Sequence, residues 1–483
     1  MKPLRYEDYE RLSEAGSLVP VYREIPGDLL TPVSAFRAVA GSSSRAFLLE
    51  SVVGGERIAR YSFLGRDPVA TVEAHATGVR VRGAEGTRRV AGDLLATLRE
   101  ALGRTAAEVP GLPPFTGGAV GYLAYDAARL FERLPDRHPQ DGRPLASFSI
   151  YHSLIAFDHV RQRLVLIADV EPGRRAAFER GQEVLDALEE DLRAYRPPTR
   201  RDGGVAVAAD GAPADGAAYK DAVRRAKEYI AAGDIFQVVL SRQRTLPCAL
   251  DPFSVYRALR MVNPSPYMFF LKEGATAVAG ASPEMLFRVE GRRVETRPLA
   301  GTRPRGATAE EDERSEKELL ADEKERAEHL MLVDLGRNDL GRVCSFRSVS
   351  VPELMRIERY SHVAHIMSSV VGELAEGKDA LDALVATFPA GTLSGAPKIR
   401  AMEIIDELEP VRRGVYGGTL GYFDLRGNAD FCIAIRTLLL EDGRATVQSG
   451  AGIVADSDPE TELQETEAKA GAMMEALQAA RSL

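Results

Sequence analysis

Short strand-like segments separated by turns recur along most of the chain, and this pattern constrains the fold more than any other feature of the sequence. Stretches such as AFLLES, GVRVRG and RLVLIADV in the first part, and PYMFFLK and TAVAGASPEMLFRVE in the second, have strand character. Amphipathic helices are predicted at AGDLLATLREALG and YKDAVRRAKEYIAAGD. Strands paired in hairpins with helices outside them predict a large layered α+β fold. Its antiparallel sheets would form a sandwich-like core rather than a βαβ winding.

A segment without periodicity divides the sequence into two regions. Residues 197–218 are rich in Pro, Gly, Ala and Asp, which is typical of a linker or exposed loop. We therefore predict an N-terminal region over residues 1–196 and a second region over residues 219–483, and we expect the two regions to be intertwined.

Composition argues against several classes of protein. The net charge of −9 argues against binding to nucleic acid, because phosphate contact needs basic patches. No apolar run is long enough to span a bilayer, and the N-terminus has no signal-peptide pattern. The three widely spaced cysteines fit neither a disulfide framework nor a zinc site. We therefore expect a cytoplasmic protein without a membrane partner.

Two helix-like stretches each carry a Glu-x-x-Glu pair, Glu325/Glu328 and Glu462/Glu465. Residues three apart lie on one face of a helix, so each pair can direct two carboxylates at one point. If the two helices face each other, they form an all-oxygen, anionic site that suits Mg2+. Because 28% of the residues are charged, each pair taken alone is also consistent with a solvated helix face.

Three loops rich in small residues are candidates for binding anions or a ligand. Residues 297–306 could cradle a carboxylate with free backbone N–H groups, or form a solvated turn. Residues 391–398 open a helix, which favours an anion site or a simple helix cap. Residues 448–453 permit close approach of a ligand to the backbone, or end a strand.

Arg436 lies among apolar residues in CIAIRTLLL, which has strand character. An arginine inside an apolar strand is unfavourable unless it is paired. It is either part of a buried structural ion pair or a clamp for a substrate carboxylate. The sequence leaves both possibilities open.

Taken in order, these motifs resemble those of the chorismate-utilising enzymes, and specifically anthranilate synthase component I. The resemblance extends from about residue 20 to the end of the chain. It is carried by DIFQVVLSR, GASPEMLFRV, TRPLAGTRPRG, AEHLMLVDLGRNDL, GTLSGAPKIRAMEII, YGGTLGYF, GAGIVADS and ELQETEAKA. The N-terminal stretches LLES, RYSFLG and FTGGAVGYLAYD look like the same branch.

The resemblance implies a two-stage reaction. Ammonia adds at C2 of chorismate as the C4 hydroxyl leaves, and pyruvate is then eliminated to give anthranilate. The implied cofactor is Mg2+, held by Glu328 and Glu465, with Glu325 and Glu462 supporting it through water. The metal would hold the ring carboxylate of chorismate.

Similarity also implies roles for other residues. Glu284 would be the general acid that protonates the C4 hydroxyl, and His365 would orient the leaving group. Gln237, Thr392 and Lys398 complete the predicted catalytic set. The predicted substrate contacts are Gly301 and Thr302 along the ring, Tyr416, Arg436, Gly450, Ala451 and Gly452 around the enolpyruvyl carboxylate, and Lys469 near the substrate anions.

Two positions indicate that the nucleophile is ammonia. Relatives that add water at C2 carry a lysine at the position of Gln237, and aminodeoxychorismate synthases carry one at the position of Ala300. A neutral glutamine cannot activate water as a base, whereas ammonia needs no activation. The alternatives are aminodeoxychorismate synthase component I and a non-catalytic subunit that binds tryptophan or chorismate.

The resemblance further implies a tryptophan site for feedback inhibition. Its predicted residues are Glu50, Ser51, Pro266, Tyr267 and Met268, although PSPYMFF is also consistent with a simple turn into a core strand. The sequence contains no Cys/His arrangement of a glutamine amidotransferase. We therefore expect ammonia from glutamine to be supplied by a separate amidotransferase subunit, in a heterotetramer.

Overall fold

Two large antiparallel sheets form the centre of the molecule. The computed structural model describes residues 3–14, 17–51, 60–90, 92–196, 216–306, 308–359 and 363–483. Within these residues, the strands are β1 (Val19–Pro26), β2 (Arg45–Glu50), β3 (Tyr61–Arg66), β4 (Ala70–His75), β5 (Gly78–Gly83), β6 (Gly86–Val90), β7 (Gly118–Leu123), β8 (Ala146–Tyr151), β9 (Ser153–Asp158), β10 (Arg163–Val170), β11 (Gln237–Pro247), β12 (Tyr267–Glu273), β13 (Thr276–Ser282), β14 (Met285–Glu290), β15 (Arg293–Thr296), β16 (Leu299–Pro304), β17 (Ser350–Arg359), β18 (Val363–Glu373), β19 (Gly395–Ala396), β20 (Thr419–Asp424), β21 (Ala429–Ile433), β22 (Thr437–Glu441) and β23 (Arg444–Ile453).

Helices lie on the outside of the sheets. In the described ranges they are α1 (Tyr6–Ser13), α2 (Pro32–Ala40), α3 (Leu94–Ala101), α4 (Arg175–Ala194), α5 (Gly216–Ala231), α6 (Pro252–Val262), α7 (Ala309–Ala321), α8 (Glu323–Gly341), α9 (Ala380–Thr387), α10 (Gly391–Ser394), α11 (Lys398–Leu408) and α12 (Pro459–Ala479). Asp322 and Asp458 cap α8 and α12 by accepting hydrogen bonds from backbone N–H groups in the first turn. The predicted α+β fold is confirmed.

The two sequence regions contribute strands to both sheets. The first sheet has the order β1-β10-β9-β3-β2-β12-β13-β22-β23-β11-β19. The second has the order β16-β18-β15-β14-β21-β20-β7-β8-β4-β5-β6, with β17 also paired to β18. Because β2 pairs with β12 and β7 pairs with β20, neither sheet is built from one region alone.

The chain passes between the sheets six times within the described ranges, and two of these passages, called here the first and the second crossing, are adjacent. TAVAGASPEMLFRVE is interrupted at Pro283, so that β13 belongs to the first sheet and β14 to the second. The second crossing lies between β21 and β22. Because β13 pairs with β22 and β14 with β21, the two crossings lie side by side. Hydrogen bonds from Ala281 N to Arg436 O (3.1 Å) and from Ile433 N to Glu284 O (3.0 Å) join them.

Two further sequence predictions can be compared with the structure. Residues 197–215 of the predicted linker lie outside the described residues, and α5 begins at Gly216, three residues before the predicted helix start at Tyr219. No helix in the described ranges is long and apolar enough to cross a membrane. The three cysteines are buried and not in disulfides.

Candidate active site

Glu284 occupies the first crossing, between β13 and β14. Its side chain is buried, and Thr392 Oγ1 donates a hydrogen bond to Oε1 at 3.1 Å. Burial raises the pKa of Glu284 from its ordinary value of 4.5 to about 8, although the Thr392 hydroxyl and the charge of Arg436 favour the ionised form. Glu284 therefore holds a proton near neutral pH.

Arg436 occupies the second crossing. The expectation that it lies inside an apolar strand is corrected, because it falls between β21 and β22 with φ of 48°. Burial lowers the pKa of its guanidinium, while Glu284 and Tyr416 act in the opposite direction. Arg436 has no ion-pair partner in the described part of the chain, which leaves the substrate clamp as the better-supported alternative.

Tyr416 lies beside Gly450 and packs against the buried Arg413. A side chain at Gly450 would place its Cβ 2.8 Å from Tyr416 Oη, so only glycine permits this approach. Beneath Tyr416, the buried Arg413 forms an ion pair with Glu409 and donates to Val239 O at 2.6 Å. The Arg413 guanidinium also lies 5.8 Å from the centre of the Tyr416 ring.

The predicted glycine stretch lies on β23, where Gly450, Ala451 and Gly452 pair with β11. Successive residues of a strand face opposite sides. Gly452 faces Gln237, whose Nε2 would be 2.7 Å from an added Cβ. The Ala451 side chain is fully buried in the core, so only its backbone is available to a substrate on the glycine side.

Gln237 connects the glycine stretch to an acidic helix. Its Nε2 donates a hydrogen bond to Glu328 Oε1 at 3.1 Å. The Gln237 side chain is buried, and its Oε1 has no hydrogen-bond partner among the described residues. A buried acceptor without a partner is unfavourable unless a ligand completes it.

The two Glu-x-x-Glu pairs are brought into one electrostatic cluster by α8 and α12. Burial raises the pKa of Glu328, and the charges of Glu325 and Glu465 raise it further. Burial and the charge of Glu465 likewise raise the pKa of Glu462. Lys469 balances part of this charge by pairing with Glu465 at 2.6 Å and donating to Gly450 O at 3.1 Å.

The acidic cluster offers the hard oxygen ligands that Mg2+ prefers. Mutual repulsion between its carboxylates also favours a divalent cation. Among the described residues, no group of three or more carboxylate, imidazole or thiolate side chains is placed to hold a metal ion by itself. Oxygen atoms of a substrate and of water would have to complete the coordination of Mg2+ here.

Gly301, Thr302 and His365 lie where β16 and β18 meet. The register shifts between Ala300 and Thr302, and Gly301 has φ of 64°. His365 Nδ1–H donates to Gly301 O at 2.8 Å, and burial lowers the His365 pKa. Thr302 pairs with His365 through its strand position, but its side chain is not among the described groups.

Lys398, a member of the predicted catalytic set, pairs with a residue near the end of the acidic helix α8. Its Nζ forms an ion pair with Asp339 at 2.8 Å, and both side chains are about nine-tenths buried, at 9% exposure. Asp339, Glu284 and Thr392 line one cavity of about 40 Å3, called here the small cavity. Lys398 is thus connected to Glu284 through Asp339 and this cavity.

All five predicted tryptophan-site residues line one cavity of about 570 Å3, the large cavity. It lies between the two sheets, and its walls include Phe63, Leu420 and Tyr422. Ser51 Oγ is buried and has no hydrogen-bond partner within the described ranges. The residues shared with the prediction are Glu50, Ser51, Pro266, Tyr267 and Met268.

Charged groups of the large cavity are paired. Glu50 forms an ion pair with Arg260 at 3.0 Å and accepts a short hydrogen bond from Tyr256 Oη. Asp430 forms an ion pair with Arg288 at 2.7 Å, and Tyr267 Oη donates to the other Asp430 oxygen at 3.0 Å. Glu50 is therefore already held by protein groups.

Sequence reasoning missed several residues at these sites. Asp339, Arg288 and Asp430 lie far along the chain from the ion-pair partners that reveal their roles. No local motif marks them. Only the pairing of strands and the packing of α8 against its neighbours places them at the two cavities.

Comparison with known proteins gives a consistent result. Residues 44–475 match a family model described as chorismate binding enzyme. A relative from Acetivibrio thermocellus, named anthranilate synthase component 1, is 47% identical over 96% of both chains. Another of that name, from Streptomyces coelicolor, is 49% identical over 98% of this chain and 91% of the relative.

A solved structure agrees with these relatives. The crystal structure of anthranilate synthase component I from Streptococcus pneumoniae is 37% identical, with a TM-score of 0.74. The match covers 94% of this chain and 99% of that one. With the family model and the two relatives, it shows that the chain belongs to the chorismate-binding enzymes, in the group of anthranilate synthase component 1.

Proposed function

We propose that this chain is the large subunit of a cytoplasmic anthranilate synthase, which converts chorismate and ammonia into anthranilate and pyruvate. One observation carries the proposal. A buried acid that keeps its proton near neutral pH, Glu284, lies beside Arg436, a half-buried cation without an ion-pair partner among the described residues. Such a cation can hold a substrate carboxylate while the acid protonates a departing hydroxyl.

In the first stage, the nitrogen of ammonia bonds to C2 of the ring while the C4–O bond breaks. Glu284 gives its proton to the C4 oxygen, which leaves as water, and Glu284 becomes a carboxylate. The added nitrogen loses a proton. Glu284 must take up a proton before the next turnover. In the second stage, pyruvate is eliminated and the ring becomes aromatic.

Gln237 is the group best suited to receive ammonia. Its buried Oε1 lacks a hydrogen-bond partner in the described part of the chain, while its Nε2 is held by Glu328. An amide oxygen can accept an N–H of ammonia and orient the nitrogen lone pair. It does not take a proton from water, which supports ammonia as the nucleophile.

The acidic cluster on α8 and α12 supports a requirement for Mg2+. Glu328 and Glu465 would hold the ion, with Glu325 and Glu462 around it. When bound, Mg2+ would neutralise carboxylate charge on the substrate and fix the ring for attack. Lys469, which pairs with Glu465, would exchange part of that contact for a substrate anion.

The large cavity supports feedback inhibition by tryptophan. Its apolar walls suit an indole ring, and the buried Ser51 hydroxyl can bind the polar part of the amino acid. The amidotransferase subunit that we propose to supply ammonia from glutamine would complete a heterotetramer.

Anthranilate fluorescence tests the proposed function directly. The purified chain, given chorismate, Mg2+ and ammonium, should form anthranilate and pyruvate in equal amounts, and EDTA should stop both. Accumulation of an aminated chorismate without pyruvate would instead indicate an aminodeoxychorismate synthase. Binding of chorismate without metal-dependent turnover would indicate a non-catalytic subunit.

A further inference from the structure

The small cavity joins Glu284 to a buried ion pair that the reaction described above does not use. Asp339 lines the cavity together with Glu284 and Thr392. Lys398 Nζ forms an ion pair with Asp339 at 2.8 Å and contacts Thr387 O at 3.4 Å. The cavity of about 40 Å3, where two carboxyl groups and three threonines lie among apolar side chains, is large enough for water molecules that bridge the carboxyl groups.

We propose that the Lys398–Asp339 ion pair sets the proton affinity of Glu284 across the small cavity. Both residues are then positioning residues, which act through the acid and do not touch the substrate. The inference rests on the proposed role of Glu284. It also gives Lys398 a place in the reaction.

Charge explains why a pair, rather than a single group, occupies this place. Asp339 lines the cavity, whereas Lys398 lies behind it. The carboxylate of Asp339 stabilises the protonated form of Glu284, and the ammonium of Lys398 limits this effect. Other cations also act on the acid, namely Arg436 and Lys469, and Arg342 acts on Asp339. In a buried site, each of these charges is only weakly screened.

The pair also bears on the return of a proton to Glu284. After each turnover the acid is a carboxylate, and it must be protonated again while the product side of the site is occupied. Waters in the small cavity would carry that proton to Glu284, while Lys398 and Asp339 keep their own charges. The proton count is unchanged over a full cycle.

Removing one charge at a time provides the test. The alkaline limb of the pH dependence of kcat is measured by anthranilate fluorescence at a constant concentration of free NH3. Asp339→Asn leaves the ammonium of Lys398 alone and should move the limb to lower pH by about one unit. Lys398→Met leaves the carboxylate alone and should move it to higher pH by a similar amount. The double variant should fall between them and below the wild type, because Asp339 lines the cavity and Lys398 lies behind it.

Controls separate this inference from its alternatives. Asp334→Asn, in an exposed ion pair with Arg337 on the same helix, should leave the limb unchanged. If both single variants lose activity equally at all pH values, the pair only supports the fold and the proposal is wrong. If a single variant does not fold, the double variant, which carries neither charge, is compared with the wild type. An alkaline limb at or above the wild-type pH in the double variant would then overturn the proposal. Loss of anthranilate formation in the wild type would instead reject the proposed function.

Discussion

Buried charges have partners in the large cavity and lack them at the sheet crossings. Asp430 is neutralised by Arg288, and Glu50 by Arg260. Glu284 is buried and Arg436 is half-buried, yet neither has an ion-pair partner in the described part of the chain. The two regions use the same strands, because β14 and β21 line the large cavity and continue to the crossings.

The paired charges stabilise the structure of the protein, whereas the unpaired charges are available to bind a ligand. A buried ion pair stabilises its geometry, and loss of one partner leaves a costly unpaired charge. A buried group without a partner carries that unfavourable energy in the free protein and is relieved when a ligand binds. Stability and activity should therefore respond in opposite ways in the two regions.

Arg436→Met should have the largest effect on catalysis. Loss of a charged contact to a substrate carboxylate should lower kcat/KM by about 10- to 100-fold. Because the arginine has no ion-pair partner within the described ranges, its removal should leave the free energy of unfolding unchanged or raise it by about 1 kcal/mol. Steady-state kinetics and urea denaturation measure the two effects. A large loss of stability would show that Arg436 has a structural partner.

Asp430→Asn should lower stability and leave catalysis intact, which is the reverse of the effect expected for Arg436→Met. It leaves Arg288 unpaired in the wall of the large cavity and should lower the free energy of unfolding by about 2–3 kcal/mol. Activity at a temperature where the variant is folded should remain. The exposed Asp334→Asn is the matched control, with an expected change within about 0.5 kcal/mol. Equal stability of both variants would remove the contrast between the regions.

The pH dependence of Glu284 sharpens the comparison. Since its pKa is raised from 4.5 to about 8, the acid form required for turnover should be lost as pH rises through about 8. The same group binds a proton in the folded state that the unfolded state releases at lower pH. Its contribution to stability is therefore fully present below 4.5 and lost as pH rises through about 8. Glu284→Gln should abolish both effects, measured by kinetics and by urea titration across this range.

Ser51→Phe should have the smallest effect on catalysis. The added ring would occupy the large cavity beside Met268, so inhibition by tryptophan should be lost while activity stays within about twofold. Ser51→Ala, which removes only the hydroxyl, should weaken inhibition by about 1 kcal/mol. The test is the rate of anthranilate formation at increasing tryptophan concentration for the wild type, Ser51→Phe and Ser51→Ala. Unchanged inhibition of Ser51→Phe would place the tryptophan site elsewhere.

Much of the fold could be predicted because it depends on local periodicity. The alternating strands, the amphipathic helices and the two acidic helices all follow from spacing within short windows. The contact between the crossings could not be predicted in this way. It depends on the register of β13 with β22 and of β14 with β21, which joins residues about 150 positions apart.

The contacts of the residues that were assigned roles by similarity could be anticipated to different degrees. Glu284 and Thr392 were both expected in the catalytic set, and the structure joins them by a hydrogen bond. Lys398 was also expected in the catalytic set, but its partner Asp339 is 59 residues away on another helix. A lysine that is one member of a buried pair cannot be recognised from its own neighbours in the sequence.

The side-by-side crossings have a mechanical consequence. β14 has 6 residues, which as a strand span about 20 Å. Over that length, the backbone at one end forms the floor of the large cavity and at the other end carries the acid. A small sideways movement of the paired strands β14 and β21 would displace residues at the large cavity and at Glu284 together. No hinge and no domain movement would be needed.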